Sequence, residues 1–172
     1  TVARHLEAAD LVVGYCSEKF DLPCIEGLAH RRLKIRESYD IYTKIVSAYA
    51  QIGKRGSRGD FTLDAMCKRN LGRGKIDHGS NAKALAAQGK WGRLFRYCGS
   101  DVQLTHDLFY KIVNDGGLIG LRGQFISLPV PGGLEHFTAH LARLFHEQPL
   151  RLLADHAGEK DVHHAKGDLQ YD

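Results

Sequence analysis

The sequence predicts an α/β domain that is rich in helix and poor in strand. Two observations carry this. Most of the chain shows apolar residues at helical spacing, with Leu104, Leu108, Phe109 and Ile112 as the clearest stripe. Only a few short runs are of β type, chiefly "LVVGYC" at 11–16 and "LIGLRGQFISLPVP" at 118–131.

Taken in order, residues 2–10 predict a short helix marked by Leu6 and Ala9. "LVVGYC" predicts a buried strand, and "SEKF" turns the chain. "DLPCIEGLAHRRL" (21–33) predicts a helix with Asp21 as its cap, since Pro23 is tolerated in a first turn. "SYDIYTKIVSAYAQI" (38–52) predicts a short strand or turn, then a helix through Ile45, Ala48, Tyr49 and Ile52. A Gly/Arg-rich loop follows at 53–59. "FTLDAMCKRNLG" predicts a helix closed by Gly72. "GRGKIDHGS" is a loop. Residues 81–117 predict two helices, the second stopped by Gly116 and Gly117. The run 118–131 predicts a hairpin. Leu134, Phe137, Leu141, Leu144 and Phe145 predict a further amphipathic helix over 134–145, as a core or docking face. Its polar side, with Glu135, His136, His140 and Arg143, lacks the strongly basic pattern of a membrane binder.

Three regions result: a main domain over 1–122, short strands and an amphipathic helix over 123–154, and a polar tail over 155–172 too poor in apolar surface to order itself. Two basic clusters, "GKRGSRG" (53–59) and "CKRNLGRGK" (67–75), and a net charge of +4 fit either a solvated loop face or an anionic partner such as nucleic acid. No apolar run reaches membrane-spanning length, about 20 residues. The four cysteines, at 16, 24, 67 and 98, match no zinc spacing and predict half-buried, reduced thiols and a cytoplasmic setting. In the tail, His156, Asp161, His163 and His164 offer a metal-site reading against the simpler one of a solvated tail.

The chemistry lies in "VVGYCSEKFDLP", "LGRGKIDHGSNAKALAAQGKWGRLF" and "RYCGSDVQLTHDLF". In this order they resemble the DEDD-superfamily 3'–5' exonucleases, in the tyrosine subtype, over residues 5–122. That subtype includes domains related to the proofreading domains of B-family DNA polymerases and versions attached to helicases. The resemblance implies a ribonuclease H-like fold and hydrolysis of phosphodiester bonds at a single-stranded DNA or RNA end. It implies a two-metal site for Mg²⁺ or Mn²⁺. Gly14, Tyr15, Cys16 and then Phe20-Asp21 stand where the family's second motif falls, with Cys16 in place of its usual asparagine. Tyr97 and Asp101 form the third motif, Tyr-x-x-x-Asp; the histidine subtype would need His at 96, which is Arg96.

On that footing Asp21 and Asp101 are the expected metal ligands and Tyr97 joins them in catalysis. A residue and its neighbour four positions on share a helix face, so the Tyr97 hydroxyl can orient a water beside Asp101. Clustered carboxylate oxygens are what hard divalent cations require. Cys16, Phe20, Arg73, Lys75 and Trp91 are the residues expected to touch the nucleic acid, Trp91 by stacking. Phe95 and Phe109 are expected in the core.

The family's first motif, Asp-x-Glu, occurs nowhere in the chain. Together with the missing initial Met and the missing strands ahead of "LVVGYC", this predicts an N-terminally truncated piece that begins after that motif. Two readings follow. One is the fragment of an exonuclease attached to a parent polymerase or helicase. The other is a catalytically inactive module of the same fold that binds nucleic acid or a helicase.

Overall fold

A computed structural model describes residues 1–54, 56–76 and 81–132. The amphipathic segment 134–145, the tail 155–172 and its histidines lie outside the described residues. Within them the chain is a mixed α/β unit, helix-rich with few strands, as the hydrophobic periodicity predicts.

The chain begins with α1 (Val2–Ala8), then β1 (Val12–Gly14), α2 (Asp21–Ala29) and β2 (Ser38–Asp40). β1 and β2 pair in parallel, Val12 opposite Ser38 and Gly14 opposite Asp40. A parallel pair needs a long crossover, and α2 supplies it. The expected helix over 21–33 is shorter than its apolar pattern: it stops at His30, whose left-handed φ of 52° breaks the spiral. Glu26 then takes the Leu33 N–H at 3.0 Å and Arg32 at 2.7 Å, holding the chain in an extended return.

α3 (Ile41–Gln51) starts directly after β2, capped by Asp40. A 3-10 turn at Arg58–Phe61 leads into α4 (Leu63–Leu71), which ends at Gly72 with φ 67°, a left-handed C-cap suited to glycine. α5 (Asn81–Ala87) and the long α6 (Trp91–Asp115) follow. Gly116 closes α6 in the left-handed region, and β3 (Gly117–Ile119) pairs antiparallel with β4 (Phe125–Ser127).

The core forms where α3, α4, α6 and the hairpin meet. Ile45, Met66, Leu108, Ile112 and Leu118 are each fully buried. Each such side chain contributes about 1.5–3 kcal/mol by leaving water. Polar links tie the layers together. The Tyr49 hydroxyl accepts from Leu121 N at 2.6 Å. The Asn70 amide donates to Ile119 O at 2.9 Å and accepts from Ile119 N at 2.7 Å. It thereby satisfies the outer edge of β3 as a neighbouring strand would.

The thiols divide rather than sharing one half-buried state. Cys67 is buried, Cys16 half-buried, and Cys24 and Cys98 exposed; all are free. Among the described residues no helix is long and apolar enough to cross a membrane.

Candidate functional site

The loop after β1 carries the first group of expected site residues. Gly14 is required there, because a Cβ would collide with the Ser17 side chain. Two residues later Cys16 takes φ 62°, a left-handed conformation that glycine and asparagine favour and other side chains adopt at a cost. Asp40 holds it there. This carboxylate, fully buried, accepts from Cys16 N at 3.0 Å and Glu18 N at 3.0 Å. It also accepts from Thr43 N at 3.1 Å as the N-cap of α3.

Asp40 therefore fixes the site loop and starts the next helix, a role not read from the sequence. The signal was present: an aspartate immediately before the helical run "IYTKIV" is an N-cap pattern. What the sequence could not show is that the same carboxylate reaches back across the sheet.

Asp21 opens α2 but does not cap it. Phe20 occupies the cap position, and no side-chain cap bond is made. Asp21 is instead the first helical residue, where a negative charge suits the N-terminal end of the helix dipole. Burial, and then the nearby charge of Asp40, raise its pKa above the ordinary 3.8. Phe20 is 67% exposed beside it.

The second group lies on α6. Tyr97 and Asp101 sit one turn apart, and Lys75 joins them. Its ammonium is 2.6 Å from Asp101 Oδ2, donates to the Tyr97 hydroxyl at 3.1 Å and lies 5.3 Å from the Tyr97 ring centre. Burial works against the charge on Lys75, but the bonds to Asp101 and Tyr97 outweigh it and raise the pKa above 10.5. The Lys75 backbone N–H donates to Asp64 Oδ1 at 2.9 Å, so α4 anchors the loop that presents the side chain. Asp101 Oδ1 is buried and has no hydrogen-bond partner among the described residues.

Arg73 reaches α6 as well, in an ion pair with Asp107. Both cations expected to face nucleic acid are thus engaged with acids of this chain. They clamp the loop after α4 against α6.

Trp91 is 54% exposed, as stacking on a base requires. At about 100° per residue, however, it lies roughly 120° around α6 from Tyr97. Phe95, expected in the core, is 71% exposed. Phe109 does pack, its ring edge-on to Tyr39 at 5.1 Å.

α6 packs on β1, so both groups border the same strand. Among the described residues no hydrogen bond or ion pair joins them, and no group of three or more His, Cys, Asp or Glu is arranged to hold a metal ion. The expected Mg²⁺ or Mn²⁺ pair therefore does not fit these residues alone. Asp101 Oδ1 suits a cation, but an ammonium occupies the other oxygen of the same carboxylate. No family model, no curated protein and no solved structure matches this chain.

Proposed function

We propose that this chain is part of a tyrosine-subtype 3'–5' exonuclease domain with a ribonuclease H-like fold, acting on nucleic acid and chiefly on single-stranded DNA ends. Tyr97, Asp101 and Asp21 are its contribution to the site. The observation that supports this most is the cluster on α6: a phenol and a carboxylate on one face, held by one lysine, with one buried carboxylate oxygen that has no partner among the described residues. A hydroxyl beside a carboxylate is suited to orienting a water for attack on phosphorus. Lys75 sets the directions of both groups and brings positive charge to the place a phosphate would approach.

When bound, a divalent metal pair would supply the activated water and neutralise the leaving oxygen. The chain has no Asp-x-Glu, so those carboxylates must come from a parent polymerase or helicase, or from a partner chain. The chain alone is expected to bind single-stranded DNA in a salt-sensitive manner without cleaving it.

The test uses 3'-labelled single-stranded DNA with Mg²⁺ or Mn²⁺. Binding weakened by Lys75→Ala, with no cleavage, is the expected result. Metal-dependent cleavage that disappears in Asp101→Ala would overturn the incompleteness of the site. Absence of binding would remove the nucleic-acid reading altogether.

A second reading, a non-catalytic module of the same fold that binds nucleic acid or a helicase, draws on the 2.6 Å ion pair that neutralises Asp101. Calorimetric titration with Mn²⁺ separates the two. Uptake lost in Asp101→Ala favours the enzyme part; since the enzyme site is itself incomplete in this chain, binding of single-stranded DNA that neither Mn²⁺ nor Asp101→Ala alters favours the binding module.

A further inference from the structure

Residues 78–100 contain four cations, Lys83, Lys90, Arg93 and Arg96, and no Asp or Glu. The whole chain has 24 Lys and Arg against 20 Asp and Glu, so outside this stretch the two signs balance. The stretch therefore holds the entire net charge of +4. It includes α5 and about the first three turns of α6. All four cations are exposed, and among the described residues none of them forms an ion pair. The neighbouring elements differ. Lys68, Arg73, Lys75 and Lys111 are paired with Asp64, Asp107, Asp101 and Asp115 respectively.

Helix stability alone does not favour this placement. α6 has no acid in its first turn and no side-chain cap bond, and Lys90 stands at its N-cap. Cations at that end oppose the helix dipole and cost stability. Their position is well fixed. Gly89 takes φ 66°, the Lys90 N–H donates to Leu85 O at 2.9 Å, Leu85 is buried, and α5 packs on α6. The cations also lead to the candidate site. Arg93 precedes Tyr97 by four residues, so it lies on the same face one turn earlier, about 6 Å along the axis. Asp101 and Lys75 continue that row. Arg96 flanks it beside Tyr97, and Lys90 stands at its start.

We infer, on the nucleic-acid reading of Tyr97 and Asp101, that α5 and the first turns of α6 form the platform on which single-stranded DNA lies. Lys83, Lys90, Arg93 and Arg96 take its phosphates, Arg93 the one beside Tyr97. A strand whose charges recur along its length suits cations strung out along two helices with no acid between them. An anionic membrane fits less well. Arg93 and Phe95 are two residues and about 200° apart around α6, so a surface that takes up the exposed Phe95 leaves Arg93 on the far side.

The test is fluorescence anisotropy of the full chain with labelled oligothymidylate of about 15 nucleotides over a salt series. For a single strand the logarithm of the affinity falls against that of salt by about 0.7 per phosphate contact. Lys90→Ala, Arg93→Ala and Arg96→Ala combined are expected to weaken binding at least about ten-fold in about 50 mM salt and to reduce the slope by about 2. Arg4→Ala, Lys34→Ala and Arg36→Ala combined remove the same charge from other exposed positions and are expected to keep the parent's slope. The first variant is expected to unfold in urea at or above the parent's midpoint, because it relieves the helix dipole. A lower midpoint gives these cations a role in the fold and overturns the platform. If the parent binds and the first variant keeps its affinity and slope, the platform is wrong and the exonuclease reading stands. Equal losses in both variants overturn it too, since net charge alone then suffices. Should the parent bind no strand, the nucleic-acid reading itself falls and takes the platform with it. Binding to phosphatidylserine vesicles or polyglutamate that the first variant loses while strand binding is intact assigns the cations to another partner and overturns the platform.

Discussion

At Asp40 one carboxylate serves three backbone N–H groups, those of Cys16, Glu18 and Thr43. It holds a left-handed cysteine, starts α3 and, after the larger effect of burial, adds to the raised pKa of Asp21 by its charge. Asp40→Ala would leave three donors unmatched in a buried place, and is expected to cost about 3 kcal/mol, read as a lower urea midpoint. Asp40→Asn keeps one acceptor oxygen for Cys16 and Thr43 but turns an NH₂ towards the N–H of Glu18, so an intermediate loss is expected. A midpoint unchanged in Asp40→Ala would show that the loop does not depend on this carboxylate. Cys16 is accommodated in its left-handed conformation by the same bonds rather than by its own side chain.

Between elements, two polar grips reinforce an apolar frame. The loop after α4 seizes α6 through Arg73–Asp107 and Lys75–Asp101. The Asn70 side chain of α4 mimics a strand along β3. Asn70→Ala exposes both ends of that pairing without disturbing the α4 residues that face the core. A loss of about 1–3 kcal/mol is expected by chemical denaturation, with faster amide exchange at Ile119. If exchange at Ile119 does not change, the edge is protected by something other than Asn70. Most elements were legible in the sequence because each carries its own signal. Gly72 and Gly116 end helices, and "DIYT" starts one. The stop of α2 at His30 was not legible, since Glu26 and its return contacts, not the local apolar pattern, decide it.

For the molecule as a whole, buried phenols and one buried thiol set an alkaline limit. Burial pushes the Tyr39 hydroxyl up from 10.0 to about 12 and the Cys67 thiol up from 9.0 to about 12, and raises Tyr15 still further. Each of these groups holds its proton more tightly when folded. The stability they contribute is complete below the unfolded values of 10.0 and 9.0 and is lost as pH rises through that window towards about 12. The loss is about 1.4 kcal/mol per pH unit for each group titrating. Urea midpoints are expected to be level near neutral pH and to fall above about pH 9, less steeply in Tyr39→Phe. A midpoint that stays level to about pH 11 would show that these groups are not buried in the folded state.

The sequence by itself determined the helix-rich α/β composition, the order of nearly all the described elements, and the pairing of Tyr97 with Asp101 on one helix face. These follow from hydrophobic period and turn chemistry, which act over a few residues. It also determined that no Asp-x-Glu is available. Only the tertiary structure decided the rest. It joined Lys75 to Tyr97 across 22 positions of sequence, and to Asp101 one turn further along the same helix. It set Asp40 under the Cys16 loop and left Phe95 uncovered. Such contacts depend on how helices and strands pack against one another, and a charge or an aromatic ring carries no local mark of the partner that packing will bring to it.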